Sequence, residues 1–269
     1  MNMMYKNILV HLKFIVFLAL FLPESRLLSN SKIKVGLLVY PPYVNGPSLS
    51  DGGIVVNLLK DSGVLENEDV KAYILPPQRA WHDFKENQLD IVLASRISQS
   101  QKTLESNNFF EMFNGDTFLF FHHDEKRGHC YGDSPVKGSP TVAIIRGVES
   151  ERENLRHNGY RVFEVDSPTQ GIKMLLNKRV DFLHMSIVPV KVILKKYFRN
   201  KDAQKIAISS CRYLYNPVGF LYKRQASAEI HQLISNLDSL LGNKKKIRRT
   251  MSKTINDKVI INNLLLKGY

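Results

Sequence analysis

Two arginines and several small polar side chains surround the most apolar strand that the sequence predicts. Arg79 begins a predicted helix, and Arg96 comes soon after the strand Leu89 to Ala94. A guanidinium group can bind a carboxylate or a phosphate through two parallel hydrogen bonds. The same loop carries three neutral side chains that can form hydrogen bonds, namely Ser95, Ser98 and Gln101. This loop therefore predicts a site for a small polar or anionic ligand.

An aromatic pair follows the first predicted strand, Ile33 to Val39. Tyr40 and Tyr43 flank two prolines and precede a polar, glycine-containing loop. An aromatic ring held by prolines loses little conformational entropy when a ligand binds to it. We therefore predict that these rings contact a ligand. The alternative is a surface turn whose tyrosines pack in the core.

A third group of candidate ligand contacts lies at the start of a predicted helix, at Gly147, Val148 and Glu149. The free backbone amides at a helix N-terminus attract anions. Glu149 would oppose an anion if its side chain pointed inward, so the direction of that side chain matters.

Strands and helices alternate along the chain, which predicts an α/β fold with parallel sheets and short connections. Leu89 to Ala94 is short and continuously apolar, as expected of an interior strand. Loops that follow such strands meet at the carboxyl edge of the sheet, where ligands usually bind. The segment FKENQLDIVLAS is echoed later by LLNKRVDFLHMS, and this repeat supports two similar lobes.

These features together resemble the type 2 periplasmic solute-binding proteins, and more narrowly the amino-acid-binding (family 3) branch that serves ABC importers and related sensors. The resemblance covers nearly all of residues 32 to 250. It implies two lobes, each a mostly parallel sheet flanked by helices, joined by two hinge crossovers. We expect lobe 1 to comprise residues 32–122 and 213–269, and lobe 2 to comprise residues 123–212.

The two charged ligand contacts of that branch are missing here. The arginine that normally holds a carboxylate aligns with Gln101, and the aspartate that normally holds an ammonium group aligns with Ser186. A buried charge without a partner costs several kcal/mol, so we do not expect an α-amino acid bound in the usual way. Arg96 and Arg79 are the predicted replacements, and a salt bridge at the surface or between lobes is the alternative role of each.

Residues 1–31 predict an export signal. Lys6 and Lys13 precede the apolar run Phe14 to Leu22, which is too short to span a bilayer comfortably. A small-x-small pattern ends at Ser31, where we expect cleavage and release into the periplasm. An uncleaved membrane anchor is the alternative.

The sequence carries a formal net charge of +13, which falls to +11 when residues 1–31 are removed. So basic a surface favours contact with an anionic membrane surface, a polyanion or an acidic ligand. A general bias of composition is the alternative. The sequence contains no recognisable nucleic-acid-binding motif, and we expect no nucleic acid partner.

Two cysteines, Cys130 and Cys211, predict one disulfide in an oxidising compartment, with two free thiols as the alternative. In the two-lobed fold that the resemblance implies, both would fall near the crossovers. The segment His122 to Cys130 is rich in metal-ligand side chains, but its spacing matches no standard zinc pattern. We expect it to be a polar connector, and we expect no metal or cofactor.

The combined expectation is a monomeric exported binding protein, not an enzyme, that closes on a small-molecule solute and is read by an ABC importer permease or a membrane sensor. One alternative is an enzyme on the same scaffold, similar to periplasmic dehydratases of the cyclohexadienyl type, with Glu149 as its acid. The other is a non-transport interaction protein that uses the basic surface and has a vestigial cleft. No function is assigned to residues 255–269.

Overall fold

Ten strands form two sheets in the computed structural model, which describes residues 33–96, 100–124, 138–146, 148–255 and 257–265. In chain order the strands are β1 Ile33–Leu38, β2 Val70–Leu75, β3 Ile91–Ser95, β4 Asn107–Phe113, β5 Thr117–His122, β6 Thr141–Ile145, β7 Arg161–Val165, β8 Phe182–Ser186, β9 Ile206–Ile208 and β10 Val218–Lys223.

Helices fill most of the connections between these strands. In chain order they are α1 Ile54–Asp61, α2 Pro77–Lys85, α3 Gln101–Ser106, α4 Glu149–His157, α5 Pro168–Leu176, α6 Ile187–Tyr197, α7 Asn200–Ala203, α8 Ala228–Gly242, α9 Lys244–Ser252 and α10 Lys258–Leu264. Helix α5 shows how local residues set a helix start, because Ser167 accepts a hydrogen bond from the Gln170 amide and Pro168 occupies the first turn.

The two sheets have the same plan. The first has the strand order β2-β1-β3-β10-β4 and the second the order β7-β6-β8-β5-β9. In each, three parallel strands come first, and an antiparallel strand then fills the fourth position. That antiparallel strand is the one that arrives from the other sheet. We call the first sheet with its helices lobe 1 and the second lobe 2. The predicted two-lobed α/β fold is confirmed.

The lobe boundary differs by one strand from the one predicted after His122. Strand β5 pairs with β8, with Thr117 opposite Ser186, so it belongs to lobe 2. The chain leaves lobe 1 at residues 114–116, because β4 stays beside β10. On the return, Tyr213 still donates a backbone hydrogen bond to Thr117 at 2.8 Å, so the second crossover begins after it.

The aspartates of the two similar segments have the same structural role, because each accepts a hydrogen bond from a backbone amide at the start of a neighbouring strand. The carboxylate of Asp90 accepts a hydrogen bond from the Lys34 amide at 2.7 Å, just inside the start of β1. The carboxylate of Asp181 accepts one from the Thr141 amide at 2.7 Å, at the start of β6. Each aspartate therefore fixes the beginning of the neighbouring parallel strand, which explains why the echo marks two similar lobes.

Helix α10 joins the core of lobe 1 to lobe 2. Its apolar side chains Ile260, Ile261 and Leu264 are buried in the same hydrophobic cluster as Val188 of α6. Helix α10 packs against α6. The carbonyl of Leu264 also accepts a hydrogen bond from the Asn114 amide in the first crossover, at 2.7 Å. Helix α10, in the segment to which no function was assigned, is therefore part of the connection between the lobes.

One prediction concerns a segment outside the described residues. The export signal, residues 1–31, lies outside them. Among the helices of the described ranges, none combines the length and apolarity needed to cross a bilayer.

Candidate functional site

A group of polar side chains, four of them buried and one half-buried, lies where the two lobes meet. We call it the interlobe cluster and define it as Tyr40, Glu151, His184, Ser186 and Asn216. Tyr40 follows β1 in lobe 1, Glu151 lies in the first turn of α4, and Asn216 lies in the second crossover. His184 and Ser186 are in β8. Tyr40 and Ser186 lie at the carboxyl ends of strands and Asn216 lies on a crossover, where a ligand site is expected in open sheets.

Glu151 and His184 form the buried ionisable pair of this cluster. Their exposed fractions are 7% and 1%. Nδ1 of His184 lies 3.2 Å from Oε2 of Glu151, although the angle is not that of a hydrogen bond. Nε2 of His184 forms a 2.9 Å hydrogen bond with the hydroxyl of Thr117. Asn216 donates a long hydrogen bond of 3.4 Å to Oε1 of Glu151.

Tyr40 is the residue of lobe 1 that takes part in this cluster. Burial raises the pKa of the Tyr40 hydroxyl, and the negative charge of Glu151 raises it further, while a side-chain hydrogen bond with Ser186 acts in the opposite direction. Ser186 in turn donates a hydrogen bond to the Gly115 carbonyl in the first crossover at 2.8 Å. The Tyr40 hydroxyl is therefore protonated at neutral pH, and it faces polar groups of lobe 2.

Tyr43 packs in the core behind Tyr40. Its ring is fully buried, it stacks on Tyr40 with a centroid distance of 5.8 Å, and it contacts Phe113 at 5.8 Å. The core-packing alternative that the sequence left open therefore describes Tyr43, while Tyr40 is the ring that faces lobe 2. A ligand contact of Tyr40 stays a prediction.

The two crossovers run close together beside the cluster. A Cβ atom at Gly115 would overlap the carbonyl oxygen of Asn216, so this position requires the absence of a side chain. Tyr213, just before the second crossover, places its ring edge against His184 with a centroid distance of 4.9 Å. Its hydroxyl donates a 3.0 Å hydrogen bond to Asn154 of α4. The crossovers thus form one wall of the cluster.

The two predicted ligand-binding arginines both form salt bridges. Arg96 pairs with Glu111, which also accepts a 2.9 Å hydrogen bond from the Tyr215 hydroxyl. Arg79 pairs with Asp83 of its own helix at 3.1 Å. Each arginine side chain is 50% exposed. The salt-bridge alternative is therefore observed for both, and their role in holding a ligand stays a prediction.

The remaining predicted contacts are spread over several positions. Ser95 is half-buried at the end of β3, and Val148 is half-buried at the residue preceding α4. Gln101 is exposed at the start of α3, where it donates a 2.9 Å hydrogen bond to Glu105. Three predictions fall outside the described residues, namely Ser98, Gly147 and the side chain of Glu149.

The predicted disulfide and connector lie largely outside the described residues. Cys211 is disulfide-bonded, but its predicted partner Cys130 lies outside the described ranges, so the pairing stays a prediction. Within the connector, Nδ1 of His122 lies 3.3 Å from the Asp124 carboxylate. Across the residues that the structure describes, no three His, Cys, Asp or Glu side chains converge as a metal site would require.

Sequence reasoning missed Glu151, His184 and Asn216. A signal was present for two of them. Glu151 precedes Leu155, the fully buried residue of α4, by one helical turn and so shares its inward face. His184 is a polar residue inside an otherwise apolar interior strand. The crossover residue Asn216 carries no comparable pattern.

Comparisons with known proteins identify the fold. No protein-family model matches the sequence, and no curated protein matches it. Among solved structures, the GluR0 ligand-binding core from Nostoc punctiforme in complex with L-glutamate is 18% identical, with a TM-score of 0.66 over 84% of this chain and 100% of that one. A mutant of ArgBP from T. maritima is 17% identical, with a TM-score of 0.61 over 85% and 97%.

A histidine kinase sensor domain with similarity to periplasmic binding proteins is 18% identical, with a TM-score of 0.63 over 83% of this chain and 96% of that one. Identities this low show the fold alone. The chain therefore has the two-lobed type II solute-binding fold that its sequence resembles.

Proposed function

We propose that this protein is an exported solute-binding protein whose two lobes close on a small polar solute at the interlobe cluster. One observation carries the proposal: the Tyr40 side chain of lobe 1 forms a hydrogen bond with Ser186 of lobe 2, beside the buried pair of Glu151 and His184. A solute bound there touches both lobes, so its binding energy would favour the closed arrangement. The protein binds its solute without transforming it.

The closed form would be read by an importer permease or by a membrane sensor. Solved structures with this fold include both kinds: the substrate-binding protein of an amino acid ABC transporter and a histidine kinase sensor domain. The sequence predicted a polar or anionic solute. The buried carboxylate of Glu151 supports the polar choice, because two like charges would repel each other in a water-poor site.

Thermal-shift screening of solute classes, combined with small-angle X-ray scattering, tests the proposal. We expect one solute class to raise the melting temperature and to reduce the radius of gyration. A melting temperature and a scattering profile that respond to no solute class would contradict the proposal.

The basic surface supports a second candidate function, an interaction protein with a vestigial cleft. Helix α9 exposes five cationic side chains at Lys244, Lys245, Lys246, Arg248 and Arg249. Co-sedimentation with anionic and with zwitterionic vesicles tests it. Salt-sensitive binding to anionic vesicles alone, unchanged by solutes, would favour this second function.

A further inference from the structure

The carboxylate of Glu151 is buried between the two lobes. Its side chain is only 8% exposed. The first turn of α4 favours a negative charge through the amides of the helix N-terminus, but this effect is modest. A buried carboxylate costs several kcal/mol in lost hydration unless a cation and hydrogen bonds compensate it. The immediate surroundings of Glu151 therefore indicate what it binds.

Those surroundings are polar, and within the described ranges no lysine or arginine forms an ion pair with Glu151. Among the ion pairs of the described residues, Glu151 forms one, with the imidazole of His184 at 3.2 Å. That contact lacks hydrogen-bond geometry, and Nδ1 of His184 is buried without a hydrogen-bond partner. The other neighbours are the amide of Asn216 and the phenol of Tyr40, which are both neutral.

Several arginines of the described residues form ion pairs with carboxylates other than Glu151. Among the described residues, five such pairs are present: Arg79 with Asp83, Arg96 with Glu111, Arg146 with Asp166, Arg152 with Glu164, and Arg212 with Asp116. In the part of the chain that the structure describes, none of these pairs joins an arginine to Glu151.

We propose that Glu151 binds the cationic group of the solute, an ammonium or a guanidinium group, beside the ring of Tyr40. This inference rests on the proposed function and names its solute class. A cation would compensate the buried carboxylate, and the face of a tyrosine ring attracts a cation. Asn216 and Ser186 can hydrogen-bond neutral parts of the same solute. The cleft thus selects positive charge through Glu151, in a lobe where Ser186 replaces the expected acid.

Matched probes test the inference on the full chain without any substitution. Two pairs differ mainly in charge: 1,4-diaminobutane with 1,4-butanediol, and choline with 3,3-dimethyl-1-butanol. Succinate serves as the anionic probe. We expect a cationic probe to raise the melting temperature and to bind roughly tenfold or more tightly than its neutral partner, as titration calorimetry measures.

Substitution of one acid on α4 supplies the matched variant. Glu151→Gln keeps the shape of the side chain and removes its charge, so we expect it to lower the affinity for the cationic probe by about tenfold or more. Glu153→Gln makes the same change two residues away on the exposed face of the helix and should bind as the wild type does. The double variant Glu151→Gln with Ser186→Asp moves the carboxylate within the cluster and should recover part of the affinity.

The outcomes separate this inference from the proposed function. Stabilisation by succinate but not by the cations, or equal binding of a cation and its neutral partner, overturns the cationic assignment and leaves the two-lobed receptor in place. Unchanged cation binding in Glu151→Gln also overturns it. No stabilisation by any probe, with an unresponsive scattering profile, overturns both. Because the wild-type comparison of probes needs no variant, the inference is testable even if Glu151→Gln fails to fold.

Discussion

Two regions connect the lobes, and they differ in chemistry. The interlobe cluster is polar. Its carboxylate contacts an imidazole, and the charge of that carboxylate acts on a phenol of lobe 1. Helix α10 makes an apolar connection, with Leu264 fully buried in a cluster that includes Val188 of lobe 2. Apolar contacts stabilise without direction, whereas the polar contacts depend on charge and on the groups that face them. We infer that α10 provides stability and that the cluster provides the solute response.

The largest expected effect is on the apolar connection. Leu264→Ala removes a fully buried side chain, so it should lower the free energy of unfolding by about 3 kcal/mol. Urea denaturation measures this loss. The exposed substitution Lys244→Ala in α9 is the control and should leave stability nearly unchanged. A loss below about 1 kcal/mol for Leu264→Ala would mean that α10 contributes little, and the contrast between the two regions would fail.

In the interlobe cluster, by contrast, a substitution should change the free energy of unfolding only slightly. Glu151→Gln should change the free energy of unfolding of the solute-free protein by no more than about 1 kcal/mol, because the lost contact with His184 is offset by the removal of a poorly compensated buried charge. The same urea experiment measures it. Destabilisation by about 3 kcal/mol or more would show that the carboxylate holds the lobes together as a structural anchor.

A smaller, pH-dependent effect concerns the attachment of α9, the helix that leads to α10. Asp61 of α1 accepts hydrogen bonds from Thr250 at 2.5 Å and from Lys253 at 2.6 Å. Desolvation opposes the charge of Asp61, but the bonds from Lys253 and Thr250 outweigh it and lower the pKa of the carboxyl below 3.8.

A folded-state pKa that is lowered adds stability above the unfolded value and loses it as pH falls through the folded value. Asp61→Asn should therefore be less stable than the wild type by roughly 1 kcal/mol at pH 7, and the difference should shrink as pH falls below 3.8. Thermal unfolding of both proteins across this pH range measures it. A difference that stays constant with pH would exclude the charge as its cause.

The smallest effect should come from the exposed ion pair beside α10. Lys195 of α6 and Asp257 lie 3.3 Å apart, with side chains 62% and 30% exposed. Lys195→Ala should cost about 0.5 kcal/mol or less, since solvent screens such a pair. Thermal unfolding at low and at high salt measures it. A cost comparable to that of Leu264→Ala would show that this lobe connection is electrostatic.

The secondary-structure elements and the candidate site differ in how far the sequence predicted them. The bounds of β6, α4 and α5 follow from an apolar run, a turn and the Ser167-Pro168 start, because local signals decide them. The predicted boundary after His122 failed because the partner of a strand is decided by tertiary packing. The sequence offered Glu149 and two arginines as charged site residues. Among the described side chains of the candidate site the buried acid is Glu151, which only its alignment with Leu155 on the helix could have indicated.

The position of α10 carries a consequence for whatever is attached beyond it. Its last turn is hydrogen-bonded to Asn114 in a crossover and packs on a helix of the opposite lobe. A tether fastened past this helix would be displaced whenever solute altered the separation of the lobes. By thermodynamic reciprocity, tension applied through such a tether would in turn change the affinity for solute. Helix α10 would thus link any such tether to solute occupancy.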